Sequence, residues 1–308
     1  MKIAVIGTGA MGSIYAARLS KAGHEVIAID IWQEHIDYIN REGLLIEGPD
    51  EKLIAENIRA STKFLDLEGC DFYIIATKAL NLEESIKSLK DQIDLNSPVI
   101  TIQNGLGAGD IILKHMPRNN IILGVAEGFG ASLTAPGHVT HTANKKIRLG
   151  SISQKTKKSE LQNIVSAWRS GGMKTELYEN IEQLIWEKLL CNVTLSGPCS
   201  IFGCNVKELY NDVEKWTFAL NCMQEAYSVG LAKGIPFSFK DPTDYVADFA
   251  KRVGSAKPSM LQDFETKKKT EIDFINGAIP PLAVEFQIPT PFNDKVCKII
   301  HDAEKRFT

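Results

Sequence analysis

Lys188 and Asn192 lie four residues apart in a stretch of helical apolar spacing, so their side chains share one face of the predicted helix. Ser196 continues that line, and Ser259 and Glu271 follow later in the chain. A lysine desolvated in a cleft has a lowered pKa and can give its proton to an alkoxide forming on a carbonyl oxygen. Amide and hydroxyl groups can hold the oxygens of a small substrate. The second half of the chain therefore contains the parts for reducing a carbonyl, although a helical lysine taken alone is more often a solvated surface residue.

A glycine-rich turn near the start of the chain lies between a short apolar strand and a helical pattern. It consists of Gly7, Thr8, Gly9, Ala10, Met11 and Gly12. In such a loop the first glycine permits a tight turn, the second lets the backbone approach a pyrophosphate, and the third lets the helix pack closely on the strand. The helix N-terminus adds N–H donors and the positive end of its dipole. This context predicts a dinucleotide-binding site; the alternative is a glycine-rich turn without a ligand.

Two charged residues bear on the choice of cofactor. Asp30 ends the second predicted strand, 18 positions after Gly12. A carboxylate at this place can accept both ribose hydroxyls and repels a 2′-phosphate, so it favours NAD(H). Lys78 ends another strand at the same edge and could contact a phosphate or ribose, which leaves NADP(H) open. The alternative for Asp30 is a solvated loop carboxylate.

The remaining pattern indicates which elements position these residues. Short buried strands alternate with helices through the first half, which predicts an α/β Rossmann domain with a doubly wound parallel sheet over residues 1–178. Residues 179–308 read as an all-helical domain for substrate binding and dimerisation. Gly197-Pro198 is expected to bend or end the helix that carries Lys188. Two later helices are predicted over residues 259–269 and 271–286.

Composition narrows the class of protein. The 308 residues include 44% apolar and 24% charged residues with a formal net charge of −3, so no basic field is available for nucleic acid or anionic lipid. No apolar run approaches the roughly 20 residues of a membrane span. The six cysteines form no CxxC pair and are read as reduced thiols, and His138 and His141 as strand-surface residues rather than a metal pair. We expect a cytoplasmic protein whose partners are a small molecule and a second copy of itself.

Several segments, taken in order, resemble one known family. They are GTGAMG from Gly7, QNGLG from Gln103, WEKL from Trp186 with Asn192, SMLQD from Ser259, TEIDFING from Thr270 and IPTPFN from Ile288. This arrangement resembles the ketopantoate reductase (2-dehydropantoate 2-reductase) family over nearly the whole chain. The resemblance implies NAD(P)H-dependent reduction of ketopantoate to D-pantoate.

The resemblance also implies roles for individual residues. Lys188 matches the general acid that protonates the carbonyl oxygen, and Glu271 matches a glutamate beside the lysine and the nicotinamide ribose. Ser259 and Asn192 match substrate-binding residues, and Asn104 matches one near both nicotinamide and substrate. Without the resemblance, the asparagines would read as turn or cap residues, Ser259 as a helix-start serine, and Glu271 as a carboxylate at a helix N-terminus beside a capping box of Thr270 and Asp273.

Two departures from the family pattern leave the substrate open. Ser196 stands where the family usually has a second asparagine, and its shorter side chain changes what it can hydrogen-bond. Asp30-Ile31 stands where many members have an arginine for NADP. An NAD-dependent D-2-hydroxy acid dehydrogenase acting on another branched or aromatic 2-keto acid therefore remains an alternative. A catalytically silent nucleotide-binding sensor is the alternative from another class.

Overall fold

The computed structural model describes residues 1–49, 51–94, 96–116, 121–152 and 156–307. Contacts divide the chain into two compact units, Met1–Gln103 with Ala108–Ile181 and Asn104–Gly107 with Glu182–Thr308. The assignment of a nucleotide-binding domain ending at residue 178 and a substrate domain beginning at residue 179 stays a prediction.

The first unit is built on a mixed β-sheet. Its strands are β1 (Lys2–Ile6), β2 (Glu25–Ile29), β3 (Leu44–Gly48), β4 (Glu51–Ala55), β5 (Ile58–Ser61), β6 (Phe72–Ile75), β7 (Val99–Thr101), β8 (Ile121–Ala135), β9 (His138–Ser151) and β10 (Thr175–Leu177). The order β5-β2-β1-β6-β7-β8 is parallel throughout and is that of a doubly wound dinucleotide-binding sheet. The predicted fold class is confirmed. The antiparallel pairs β8–β9 and β3–β4 extend the sheet beyond the parallel part.

Helices of the first unit cover both faces of this sheet. They are α1 (Ala10–Lys21), α2 (Gln33–Glu42), α3 (Leu82–Leu89), α4 (Ala108–Leu113) and α5 (Lys158–Ser170). Successive residues of β1 enter separate apolar clusters: Ile3 and Val5 pack with α1, whereas Ala4 and Ile6 pack with α3. A strand buried on both faces must be apolar at every position, which explains the unbroken apolar run at the start of the chain.

The second unit is helical. Its helices are α6 (Ile181–Phe202), α7 (Val206–Asn211), α8 (Val213–Ala232), α9 (Pro242–Val253), α10 (Ser259–Glu265), α11 (Ile279–Glu285) and α12 (Pro291–Glu304). Most of α6 after Leu184 is buried, because its residues pack with α8 and α12 on one side and with α9 and α10 on another. A helix that is apolar nearly all round is expected at the centre of such a unit.

Three predictions about helices are corrected by the structure. Helix α6 does not end at Gly197-Pro198 but continues to Phe202. Burial of the surrounding residues outweighs the roughly 3 kcal/mol that an internal proline costs. Residues 271–286 do not form one helix: two short 3₁₀ turns, Ile272–Phe274 and Asn276–Ala278, precede α11. Pro280 and Pro281 have no N–H to bond to the carbonyls of residues 276 and 277, so a new helix must begin there. The helix predicted over 259–269 is shorter and ends at Glu265.

Within the described ranges, no helix has the length and apolar character needed to cross a membrane.

Candidate active site

The glycine-rich turn leaves β1 and enters α1 in the geometry that its sequence predicts. Gly7 has a φ of +87°, and a Cβ on it would lie 2.6 Å from the backbone nitrogen of Thr77. A Cβ on Gly12 would collide with the Gly7 carbonyl oxygen. Around Gly9, by contrast, no described heavy atom lies within 4 Å of the place a Cβ would take. The loop is therefore tightly packed behind Gly7 and Gly12 and open at Gly9, where a pyrophosphate is expected to approach.

The first turn of α1 offers donors at this open side. Gly9 is the N-cap residue and has no side chain with which to cap the turn. Thr8 is buried, and Ala10 and Met11 are half-buried in the first turn. The unbonded N–H groups of a helix start and its dipole attract an anion.

Asp30 is fixed beside this loop at the carboxyl end of β2. Its Oδ2 atom accepts a hydrogen bond from the Thr8 backbone N–H at 2.7 Å, and its Oδ1 atom accepts one from Trp32 N–H at 3.1 Å. Each carboxylate oxygen can accept more than one hydrogen bond, so capacity remains for a ribose. Lys78 is exposed and follows Thr77, whose backbone touches Gly7. The structure therefore brings the glycine turn, Asp30 and the Lys78 loop to one edge of the sheet.

The contrast between Gly9 and Gly12 gives a testable prediction. Gly12→Ala is expected to lower the free energy of unfolding by about 1–3 kcal/mol because its Cβ has no space. Gly9→Ala is expected to leave that free energy within about 0.5 kcal/mol, yet to weaken NADH binding about tenfold or more by keeping the ligand from the backbone. Thermal unfolding and fluorescence titration with NADH measure the two effects. Equal loss of stability in both variants would contradict the assignment of Gly9 to the ligand side.

A buried series of hydrogen bonds through Ser13 and His35 supports the glycine turn, and the sequence did not predict it. Ser13 Oγ donates to the Thr8 carbonyl oxygen at 2.6 Å, and His35 Nε2 lies 3.5 Å from that hydroxyl. The Gly137 N–H donates to His35 Nδ1 at 2.9 Å, so the proton of the neutral ring is on Nε2. Burial lowers the pKa of His35, which keeps it neutral near pH 7. Nothing in the sequence links His35 to a loop more than 20 residues earlier.

Lys188, Asn192 and Ser196 lie along one face of α6, as their spacing predicts. Lys188 and Asn192 are half-buried, and Ser196 is 6% exposed. The neighbouring Glu187 is buried, and its Oε1 atom accepts hydrogen bonds from Gln183 Nε2 at 3.0 Å and from the Ser238 N–H at 2.7 Å. That carboxylate therefore holds the loop before α9 to α6.

Glu271 begins an irregular segment, residues 271–276, that the sequence had assigned to a helix. Thr270, just before it, donates from its N–H and Oγ1 to Glu304 Oε1 at 2.8 and 2.7 Å. Asp273 contacts His301 Nε2 at 2.8 Å. Thr270 and Asp273 therefore bond to α12 rather than forming the capping box considered from the sequence. Glu271 itself is half-buried.

The loop carrying Asn104 packs against this same segment. Leu106 N–H donates to the Phe274 carbonyl oxygen at 2.8 Å. Gly105 has a φ of +86°, and a side chain there would collide with that carbonyl. The Gln103-to-Gly107 motif thus requires glycine at this position to make the close approach. Asn104, which follows β7 in sequence, belongs by its contacts to the helical unit with Lys188 and Glu271.

Ser259 occupies the first turn of α10 and is exposed. Leu261 of the same helix is buried in one apolar cluster with Leu195 of α6. The structure thus brings the predicted substrate residues into one unit: three on α6, Ser259 on a helix packed against α6, and Asn104 on the loop bonded to the Glu271 segment.

The two histidines that could suggest a metal pair have separate partners, and His141 is buried, so its prediction as a strand-surface residue is wrong. His138 Nε2 lies 2.7 Å from the Tyr38 hydroxyl, and His141 Nδ1 lies 3.5 Å from Arg18 Nη2. Burial and the Arg18 charge lower the pKa of His141. In the part of the chain that the structure describes, no group of three or more His, Cys, Asp or Glu residues is arranged to hold a metal ion.

Family models match both halves of the chain. Residues 3–154 match the model described as ketopantoate reductase PanE/ApbA, and residues 180–304 match its C-terminal counterpart. The chain belongs to the ketopantoate reductase family. A 2-dehydropantoate 2-reductase from Streptococcus pyogenes is 29% identical over 99% of this chain and 98% of its own length.

Solved structures agree with this membership. A ternary structure of D-mandelate dehydrogenase with NADH and anilino(oxo)acetate has a TM-score of 0.90 and 28% identity, covering 100% of this chain and 99% of that one. A PanE/ApbA family ketopantoate reductase from Ralstonia eutropha JMP134 has a TM-score of 0.89 at 22% identity, with 99% of each chain covered, and this likeness bears on the fold alone. The resemblance read from the motifs is confirmed, and this ketopantoate reductase family member is an oxidoreductase.

Proposed function

We propose that this protein reduces a small 2-keto acid to the 2-hydroxy acid, with ketopantoate as the leading substrate and D-pantoate as its product. The observation that carries the proposal is the grouping in one helical unit of Lys188, Asn192 and Ser196 on one face of α6, with the Glu271 segment and the Asn104 loop bonded together. The S. pyogenes relative, named for reduction of 2-dehydropantoate, supports it.

The proposed mechanism assigns proton transfer to Lys188. The glycine turn and Asp30 would hold a nicotinamide dinucleotide, which when bound would supply a hydride to the carbonyl carbon. Lys188, half-buried on α6, gives its proton to the carbonyl oxygen, and its positive charge stabilises the alkoxide as it forms. Asn192 and Ser259 hold the carboxylate and oxygen of the substrate, and Asn104 and Glu271 orient the substrate and the cofactor ribose.

A second candidate is an NAD-dependent D-2-hydroxy acid dehydrogenase acting on an aromatic or other branched 2-keto acid. The observation favouring it is the D-mandelate dehydrogenase structure, which is as similar in sequence as the 2-dehydropantoate reductases and contains NADH. Ser196 in place of asparagine is consistent with a substrate other than ketopantoate.

A kinetic panel separates the candidates. We expect NADH absorbance to fall with ketopantoate and with branched 2-keto acids, and kcat/KM ranked across ketopantoate, 2-ketoisovalerate and phenylglyoxylate identifies the substrate class. A preference for phenylglyoxylate would favour the second candidate. Dinucleotide binding with no turnover of any 2-keto acid would instead indicate a nucleotide-binding sensor. The homodimer and the cytoplasmic location stay predictions.

We further propose a preference for NADH over NADPH because Asp30 lies beside the glycine turn. A carboxylate that accepts ribose hydroxyls and repels a 2′-phosphate is expected to favour NADH by about 10² in kcat/KM, which corresponds to a few kcal/mol. Asp30→Ala should reduce this ratio, while Glu34→Ala, which removes an exposed carboxylate from the first turn of α2, should not. Because Asp30 also holds Thr8, the ratio of the two cofactors is the quantity to compare. A wild-type preference for NADPH would show that Lys78 and its neighbours dominate.

A further inference from the structure

Asn276 is a fully buried amide that bonds to the main chain of α6. Its Nδ2 donates to the Val193 carbonyl oxygen at 3.1 Å and to Asn293 Oδ1 at 2.9 Å. At 3.6 residues per turn, Val193 lies about 140° and Gly197 about 180° around α6 from Lys188. Asn276 therefore holds the helix from a side that faces away from Lys188.

This contact depends on Gly197. A Cβ there would lie 2.5 Å from Asn276 Oδ1 and 2.6 Å from Val296 Cγ1, so only glycine allows this approach. The next residue, Pro198, has no N–H, and the Thr194 carbonyl loses its normal helical partner. A helix weakened at this turn depends on outside contacts to fix its position, and Asn276 provides one of them.

The orientation of Asn276 is set by two further residues. Asn293 Nδ2 donates to Glu225 Oε2 at 2.6 Å and to the Cys222 carbonyl oxygen at 2.9 Å. Because both of these partners are acceptors, the other end of the Asn293 amide must be its oxygen, which accepts from Asn276. Glu225 also accepts from the N–H groups of Phe292 and Asn293 in the first turn of α12, at 2.8 and 3.0 Å. Desolvation by burial raises the pKa of Glu225, and these hydrogen bonds oppose that shift.

The segment ending at Asn276 also contains Glu271, and the Asn104 loop is hydrogen-bonded to this segment. Phe274, two residues before Asn276, accepts from Leu106 of that loop. One irregular segment thus connects the Asn104 loop on one side with α6 on the other. A displacement of Asn276 would shift Asn192 and Ser196 relative to Glu271 and Asn104.

We propose that Asn276, oriented by Asn293 and Glu225, is a positioning residue that fixes α6 against the Glu271 segment. We call these three residues the Asn276 clamp. The inference rests on the proposed function, since it takes this face of α6 as the substrate side. The clamp touches neither substrate nor cofactor in this proposal; it acts through the main chain of α6.

The principal test is Asn276→Ala compared with Thr194→Val. Thr194 is also buried on α6, but its hydroxyl donates within the helix to the Leu190 carbonyl at 2.6 Å, so its loss breaks no link to another segment. We expect Asn276→Ala to lower kcat about 10- to 100-fold, because small misplacement of reacting groups has effects of that order. The KM for NADH should stay within about twofold, since the glycine turn belongs to the other unit. Thr194→Val should retain kcat within about threefold. A loss in Asn276→Ala no larger than that in Thr194→Val would overturn the proposal.

Gly197→Ala provides a second variant in case Asn276→Ala folds poorly. Alanine favours a helix more than glycine does, so local helix propensity alone predicts a more stable α6. The clamp instead predicts a loss of activity, because the added methyl group displaces Asn276. We expect at least about a tenfold lower kcat. An unchanged kcat would contradict the requirement for close approach.

Hydrogen exchange separates failure of the clamp from failure of the proposed function. Amide exchange over residues 188–197 should be faster in Asn276→Ala than in the wild type and unchanged in Thr194→Val. If the wild-type protein reduced no 2-keto acid, the proposed function would be wrong. The hydrogen-exchange measurement would still test the clamp. Unchanged exchange in Asn276→Ala would overturn it whatever the activity.

Discussion

Lys188→Ala is expected to lower kcat by at least about 10², the lower end of what a positioned acid or base contributes. Lys188 is half-buried on the same face of α6 as Asn192 and Ser196, and it is the proposed proton donor. NADH binding should change little, because the glycine turn and Asp30 lie in the other unit. Steady-state kinetics and a fluorescence titration with NADH measure the two quantities separately.

Two further variants give this experiment its controls. Lys188→Arg keeps a positive charge but cannot release its proton near neutral pH, so it should retain only the part of the rate that charge stabilisation supplies. Lys207→Ala removes an exposed lysine from α7 of the same unit and should leave kcat unchanged. Near-wild-type turnover in Lys188→Ala would rule out the general-acid assignment. Full activity in Lys188→Arg would show that charge, rather than proton transfer, is what the lysine contributes.

The glycine turn could be predicted from sequence because the spacing of its glycines between a strand and a helix is a local pattern. Gly7 needs its positive φ and Gly12 needs its space because of atoms within a few residues or in the adjacent loop. The helix face of Lys188, Asn192 and Ser196 was predictable for the same reason, since helical spacing alone aligns them. The position of Asp30 beside the glycine turn was predictable because Asp30 ends the second strand.

Two of the errors have different causes, contacts from distant residues in one case and a local signal that was missed in the other. Gly197-Pro198 was expected to bend or end its helix; the helix does not end there, because Asn276 and Val296 pack closely around that turn and α6 continues. The helix predicted over residues 271–286 was wrong for a reason that the sequence does contain, since Pro280 and Pro281 remove two consecutive donors. The irregular backbone before them is held by Glu304, Leu106 and Val193, which come from three separate segments. A local sequence pattern does not show which distant residues will be the hydrogen-bond partners of a segment.

The substrate preference follows from the polar groups proposed to hold the 2-keto acid. If Asn192 and Ser259 bind its carboxylate and oxygen, a simple ketone without a carboxylate leaves them unpaired. Sites of this kind reject such analogues by about 10⁴ to 10⁵. We therefore expect kcat/KM for 3-methyl-2-butanone to be at least about 10⁴ below that for 2-ketoisovalerate, which has the same carbon branch and a carboxylate. A difference under tenfold would exclude a carboxylate-binding role for these residues.

Ser196 is expected to act on the far end of the substrate. A serine reaches less far than the asparagine that is usual in the family, so recognition of the terminal hydroxyl of ketopantoate should be weaker. We expect measurable activity on 2-ketoisovalerate, which lacks that hydroxyl, and a shift of the kcat/KM ratio towards ketopantoate in Ser196→Asn. Because Ser196 is only 6% exposed, thermal unfolding must show that the larger side chain is accommodated, and Ser196→Ala serves as the variant that removes the hydroxyl without adding volume. If the wild type already rejects 2-ketoisovalerate by about 10⁴ or more relative to ketopantoate, relaxed recognition is wrong. Ketopantoate would then be the substrate, and the terminal hydroxyl would be bound by a residue other than Ser196.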